Sequence, residues 1–237
     1  MNDHERIHNL LREGRITEEE AQILLGALRE LEEASPPPHD FRPQTQQVRL
    51  GTLPPTLRWV RARLRDCSVA VKANPRLQEP DIRGPVSVQD DGADLEVGTD
   101  DEITDDVRIE LPEGWGLELD VHGCDFEAEG LAWVKGRAHS CSVELERVQG
   151  VDLELNSCDF EATLKLSQGE HRLVMASTDA EIELRGSSVK VEGRIRGGDL
   201  DPRGPFTLRG RDFKGQLGRG EARLWIEHNQ GDLTLEA

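Results

Sequence analysis

The chain has 237 residues, 47 of them acidic and 29 basic, for a formal net charge of -18, with 35% hydrophobic residues, 4% aromatic residues and no tyrosine. A field of that sign repels phosphate backbones and anionic membrane surfaces, so no nucleic-acid partner is expected. Four cysteines in a chain of this length do not make a disulfide framework, and reduced thiols are the expectation.

The first residues, MNDHERIHNLLREG, place acids and histidines where a signal peptide needs a basic start and an apolar core. No stretch approaches the roughly 18 apolar residues of a membrane span, so no transmembrane segment is expected and cytoplasmic residence is the default. Residues 1–34 read as a helical hairpin. Asp3 can cap a first helix with Ile7, Leu10 and Leu11 on one face and Gly14 as its stop. Thr17 and Glu20 form a capping box for a second, in which Ala21, Leu24, Leu25, Leu28 and Leu31 recur at helical spacing. So small a unit needs something to dock on, which makes Leu24, Leu28 and Leu31 candidates for docking or oligomerisation. Residues 35–46, rich in proline, form a linker, and residues 47–237 a second domain.

In that second domain the spacing changes from helical to alternating. The phrases GCDFEA, SCSVEL and SCDFEA put Cys124, Cys141 and Cys158 at 17-residue intervals, with a relative, DCSVAV, at Cys67. With the cysteine as register zero, further copies stand at Ala93, Thr178, Gly198, Arg211 and Gly231, about nine in all. Before zero, apolar residues sit at odd offsets (Leu117, Leu119, Val121; Val151, Leu153, Leu155; Val191, Gly193, Ile195), and after zero at even ones (Phe126, Ala128; Val143, Leu145; Phe160, Ala162). That phase shift marks a corner. Strand, corner, strand and turn repeated at a fixed period predict a mainly β fold, a parallel β-solenoid (β-helix) of about nine coils, preceded by the small α-helical hairpin.

Charge is segregated as well: Asp90 to Glu129 holds one basic residue, Arg108, while arginines gather from Arg185 to Arg223. Alternation points a column of acids outward: Asp125, Ser142, Asp159 and Asp179, flanked by Glu127, Glu144, Glu161 and Glu181. These are candidates for binding a basic partner surface, weighed against a merely solvated face and against cations. His122 and His139 each lie two residues before a cysteine, so a tetrahedral metal site could be drawn from His122, Cys124, His139, Cys141 and Cys158. The corner should turn imidazoles away from thiols, and no metal or other cofactor is assigned. The final phrase, QGDLTLEA, stops inside a repeat, and an exposed last coil would offer Leu224, Ile226, Leu233 and Leu235 for self-association. No nucleophile elbow, phosphate loop or Ser/His/Asp phrase stands apart from the repeat, so no catalytic residues are assigned.

The hairpin phrase ERIHNLLREGRITEEEAQILLGAL joined to repeats of the type LELDVHGCDFEA resembles the bacterial putative-adhesin β-strand repeat proteins, including LiaX-like envelope-stress proteins. The resemblance implies a noncatalytic role in envelope-stress signalling or surface association, with a protein partner or the chain itself as partner. Two alternatives stand beside it: a bactofilin-like polymer former whose solenoids stack end to end, and a carbohydrate-acting β-helix enzyme.

Overall fold

The computed structural model describes residues 57–92, 94–98 and 106–237. The expected hairpin, with Leu24, Leu28 and Leu31, and the linker lie outside the described residues. Alternation resolves into strands in chain order: β1 (Arg58–Arg65), β2 (Ser68–Ala73), β3 (Asp81–Arg83), β4 (Ser87–Asp90), β5 (Leu95–Gly98), β6 (Val107–Leu111), β7 (Trp115–His122), β8 (Asp125–Glu129), β9 (Val134–His139) and β10 (Ser142–Val148). They continue as β11 (Val151–Asn156), β12 (Asp159–Leu164), β13 (Gly169–Ala176), β14 (Asp179–Glu183), β15 (Val189–Ile195), β16 (Leu200–Arg203), β17 (Phe206–Arg209), β18 (Asp212–Gln216), β19 (Ala222–Asn229) and β20 (Leu233–Glu236).

The fold is mainly β, with mostly parallel strands in two sheets and no helix among the described residues. The first sheet runs β17-β18-β15-β19-β13-β11-β9-β7-β1-β5-β4, the second β16-β20-β14-β12-β10-β8-β2-β6-β3. From β7 to β14 the chain crosses to the second sheet, returns beside the strand it left, and crosses again. Val60, Ala62 and Leu64 before the corner and Phe126 and Ala128 after it are all buried in one apolar core, as the alternation predicts.

At six of the corners the residue just before register zero has a left-handed φ: Asp66 (φ 51), Gly123 (64), Ser140 (53), Ser157 (55), Ser177 (51) and Gln230 (67); at Gly198 the positive φ (82) falls on register zero itself. One such residue, at about 1–2 kcal/mol for a side chain with a Cβ, flips the inward set from odd to even offsets. The corners bond to one another from layer to layer, with Gly123 N donating to His139 O (3.0 Å), Ser140 N to Asn156 O (3.0 Å) and Ser157 N to Ala176 O (2.9 Å).

Three expectations change. The phrase at Arg211 is not a corner: it falls between β17 and β18, which run antiparallel, so it marks a hairpin, and although Ala93 lies outside the described residues, β4 and β5 that precede and follow it also run antiparallel. Corners remain at Cys67, Cys124, Cys141, Cys158, Thr178, Gly198 and Gly231. Nor do the layers stack in sequence order. β1 and β2 sit between β5/β6 and β7/β8, and the last strands, β19 and β20, sit between β13/β14 and β15/β16. The C-terminal phrase is therefore not an open end. β20 pairs with β14 on one side and β16 on the other, and Leu224, Ile226, Leu233 and Leu235 are 1%, 0%, 1% and 0% exposed, which makes them core and not an exposed edge.

Glycine makes this insertion physically possible. A Cβ on Gly198 would collide with the Gly231 carbonyl, and one on Gly231 with the Thr178 carbonyl, and both residues have positive φ (82 and 102). Where the column loses its side chains, His228 fills the space: it is fully buried, and its Nε2 lies 2.8 Å from the Thr178 carbonyl oxygen.

Candidate interaction face

The two sheets present opposite electrostatic solutions to the same stacking problem. On the first sheet, the offsets six and four residues before register zero point outward. In ladder order they read Glu96, Arg61, Glu118, Lys135, Asp152, Arg172, Trp225, Glu192 in one column. The other reads Arg63, Asp120, Arg137, Glu154, Val174, Glu227, Arg194, Asp212. Except at Trp225 and Val174, the sign alternates from strand to strand, and pairs close within the columns, Lys135 to Glu118 (3.1 Å), Arg137 to Asp120 (3.0 Å) and Arg194 to Asp212 (2.7 Å), and diagonally, Arg172 to Glu154 (3.0 Å), with Arg196 outside the columns reaching Glu227 (2.9 Å). Asp152, partly desolvated in its column, has its carboxyl pushed up by burial, an effect that Arg172 opposes.

On the second sheet, the outward positions are one and three residues after zero. The register sets Ser68, Asp125, Ser142, Asp159 and Asp179 in one column, and Glu127, Glu144, Glu161 and Glu181 in the next, continued by Thr234 and Asp201. The acids expected to point outward do so; the four glutamates are consecutive ladder partners, as are Asp159 and Asp179, while Asp125 stands between Ser68 and Ser142. None of Asp125, Glu127, Glu144, Asp159, Glu161, Asp179 and Glu181 makes an ion pair among the described residues. Three cations on this face serve the column at the far strand ends, Lys72 with Glu129 (2.8 Å), Arg147 with Glu129 and Glu146, and Arg185 with Glu236 (2.5 Å) and Glu183 (3.6 Å), while Arg203 pairs with Asp201 at the end of the glutamate column (2.8 Å). The hydrogen bonds from Lys72 and Arg147 hold the Glu129 carboxyl below the usual carboxylate range. Glu181, Glu183 and Glu236 bring carboxylate oxygens within 4.8 Å of one another, but Arg185 holds two of the three. Ser142, Asp159, Asp179, Glu144, Glu161 and Glu181 line a shallow depression at the centre of this face.

The residues from which a metal site was drawn separate at the corner. His122 and His139 are exposed on the first sheet and stack on each other, centroids 4.9 Å apart, while Cys124, Cys141 and Cys158 are buried. The thiols form a column in which Cys67 Sγ and Cys124 Sγ are 3.7 Å apart. Cys141 Sγ accepts from Cys124 N (3.4 Å) and donates to His139 O (3.2 Å). Thr178 does the same two corners further on, accepting from Cys158 N (3.4 Å) and donating to Ala176 O (3.0 Å). Cys141 and Thr178 thus supply acceptors to the Cys124 and Cys158 N–H groups, while the carbonyls they donate to also accept backbone N–H bonds from the neighbouring corner. Hydrogen bonding to Cys141, then burial, pushes the Cys124 and Cys158 thiols up, and burial raises Cys67; bonds from both neighbours lower Cys141.

Sequence reasoning found the acidic columns and missed the alternating ones. The signal was there at fixed offsets: Arg61/Arg63, Glu118/Asp120, Lys135/Arg137, Asp152/Glu154. It becomes legible only once the coils are known to be neighbours in that order.

No protein-family model matches the sequence, and no curated protein matches it at a significant level. Among solved structures, the chain is similar to a putative cell adhesion protein from Clostridium sporogenes at 12% identity, with 78% of this chain and 96% of that one covered and a TM-score of 0.42.

Proposed function

We propose that this chain is a noncatalytic interaction protein whose paired sheets form a β-solenoid platform, and that the outer face of the second sheet receives a basic surface of a protein partner. The observation that carries this reading is the column Glu127, Glu144, Glu161, Glu181, stacked in register with no ion pair among the described residues and with only the more distant charges of Lys72 and Arg203 at its two ends, in a molecule whose other sheet pairs acids with bases across neighbouring strands. Adjacent carboxylates at strand spacing repel by about 1 kcal/mol per pair in water, so the column works against the fold that holds it. A cationic partner removes that repulsion on binding and is steered to the face by the field. The four glutamates are equivalent by position, with no pair set apart as acid and base, which favours binding over glycosidic chemistry. The sequence resemblance to envelope-stress proteins is the ground on which this reading sets the interaction at the cell envelope.

The test compares the full chain with a double variant, Glu144→Lys with Glu161→Lys, and with a control carrying the same charge change elsewhere, Glu79→Lys with Glu113→Lys. An oligolysine peptide is titrated by anisotropy over a range of salt, and the partner is captured from the protein's own cells. The face variant should lose about tenfold or more in affinity, equivalent to about 1.4 kcal/mol, and lose the partner, while the control keeps both. Equal weakening in both variants would mean that net charge alone is read, and the proposal fails.

A further inference from the structure

The end strands of the first sheet carry two of the three large hydrophobic residues that are exposed among the described ones: Val88 on β4 and Leu208 on β17, each 47% exposed. β4 pairs with β5 only, and β17 with β18 only, so each presents a free edge among the described residues. The two edges are matched in length, four residues each. They are also matched in direction: β18 runs antiparallel to β15, β17 antiparallel to β18, and β4 antiparallel to β5, whereas β15 and β5 belong to the same parallel set. A second copy stacked in the same orientation therefore brings β17 of one molecule beside β4 of the next as an antiparallel pair.

Register and charge both suit that pair. Leu208 lies opposite Phe213, which is buried, and Val88 lies opposite Val97, which is also buried, so both exposed side chains are on the core side of their sheet. Antiparallel pairing that sets Leu208 against Val88 keeps them there and covers both. The sequence around β4 and β5, from Asp90 to Asp106, carries nine acids and no base; from Arg203 to Gly220, around β17 and β18, it carries five bases and one acid. Arg209, Arg211, Lys214 and Arg219 make no ion pair among the described residues. The second sheet offers no equivalent: its edge strand β16 contains Pro202, which lacks a donor.

We propose that copies of this chain associate head to tail through β17 of one and β4 of the next. The contact is heterologous, joining different patches, so it propagates as an open string of molecules and not as a closed dimer. Each edge is short and preceded by a proline, Pro85 or Pro205, so the association is weak, reversible and dependent on concentration and salt. It uses neither the acidic face of the second sheet nor its partner, and it stands or falls separately from the reading above.

The experiment uses the full chain, with Val88→Lys and Leu208→Lys as single variants, checked for unchanged strand content by circular dichroism. Sedimentation velocity should show the wild type growing from its 26.5 kDa monomer through a ladder of integral multiples as concentration rises, and shrinking again at about 1 M salt, where the Debye length is about 3 Å. Each variant alone should stay monomeric. An equimolar mixture should form a heterodimer and nothing larger, because each variant keeps one working edge and the two altered edges carry like charges. A wild type that stays monomeric at every concentration overturns the proposal, as do assemblies that persist in both variants. Loss of assembly in Leu208→Lys alone would reveal symmetric β17 pairing and overturns it too.

Discussion

Glu144 of β10 and Glu161 of β12 are register partners on neighbouring parallel strands, both exposed, and neither makes an ion pair among the described residues. Their repulsion is a stability deficit that a partner or salt should relieve. Replacing Glu144 with threonine, the residue type that Thr234 supplies in the same column, should raise stability by about 0.5–1 kcal/mol at low salt. Urea unfolding checks it, and the gain should shrink as salt screens the column. A variant no more stable than the wild type at low salt would show that the carboxylates do not strain the sheet.

The equivalent hydrogen bonding of Cys141 and Thr178, two corners apart, gives a second expectation. Cys141→Thr keeps an acceptor for the Cys124 N–H and should lose less than about 1 kcal/mol, whereas Cys141→Ala leaves that N–H unpaired in a buried corner, the His139 carbonyl keeping its bond from Gly123 N, and should lose about 1–3 kcal/mol. Chemical denaturation of the two variants separates them. Equal losses would mean that the sulfur only fills space.

Burial pushes the His171 imidazole down to about 4 from 6.5, with its Nδ1 accepting from Val151 N (3.3 Å) and its ring against Trp133 (5.1 Å). The folded state therefore disfavours the proton. Stability is fully present above pH 6.5 and is lost as pH falls toward 4, by up to about 3 kcal/mol. His171→Leu should be less stable at neutral pH, having lost its bond to Val151, yet should show a flatter stability profile between pH 6.5 and 4. Thermal unfolding across that window tests it, and an unchanged slope would remove His171 as the cause.

The insertion of β19 and β20 makes the C-terminal segment a wedge. Ending the chain at Arg219 removes the layer between β13/β14 and β15/β16, which exposes two parallel edges and separates the last strands from the body. The truncated chain should lose cooperative unfolding and aggregate, in contrast to the loss of a terminal layer, which would only shorten the stack. Gly198→Ala should act in the same direction without truncation, because its Cβ meets the Gly231 carbonyl. A soluble, cooperatively folding truncation would contradict this account of the wedge.

Local chemistry made much of this structure legible in advance. The 17-residue return of the cysteines located the corners at Cys124, Cys141 and Cys158, because only a residue of fixed conformation between two alternating strands shifts the inward set by one. It located the exposed acids of the second sheet for the same reason. The phrase at Arg211 misled because a polar residue before an aspartate suits a hairpin turn as well as a corner, and sequence alone does not distinguish a chain that reverses within a sheet from one that crosses to the other. The C-terminal phrase misled through order: Leu233 and Leu235 alternate as any half-buried strand does, and nothing local records that β20 has a neighbour on each side.

The sequence by itself determined the alternation, the corners, the thiol column and the sign of the second sheet's face, all of which follow from side-chain periodicity within a single coil. Only the tertiary structure decided which coils are neighbours. That order sets cation beside anion on the first sheet, hides the C-terminal strands, and leaves β4 and β17 as the ends of the first sheet. Strand order is a long-range property, fixed by which hydrogen-bonding edges meet and which glycines let them approach, and it leaves no trace in the period of any one repeat.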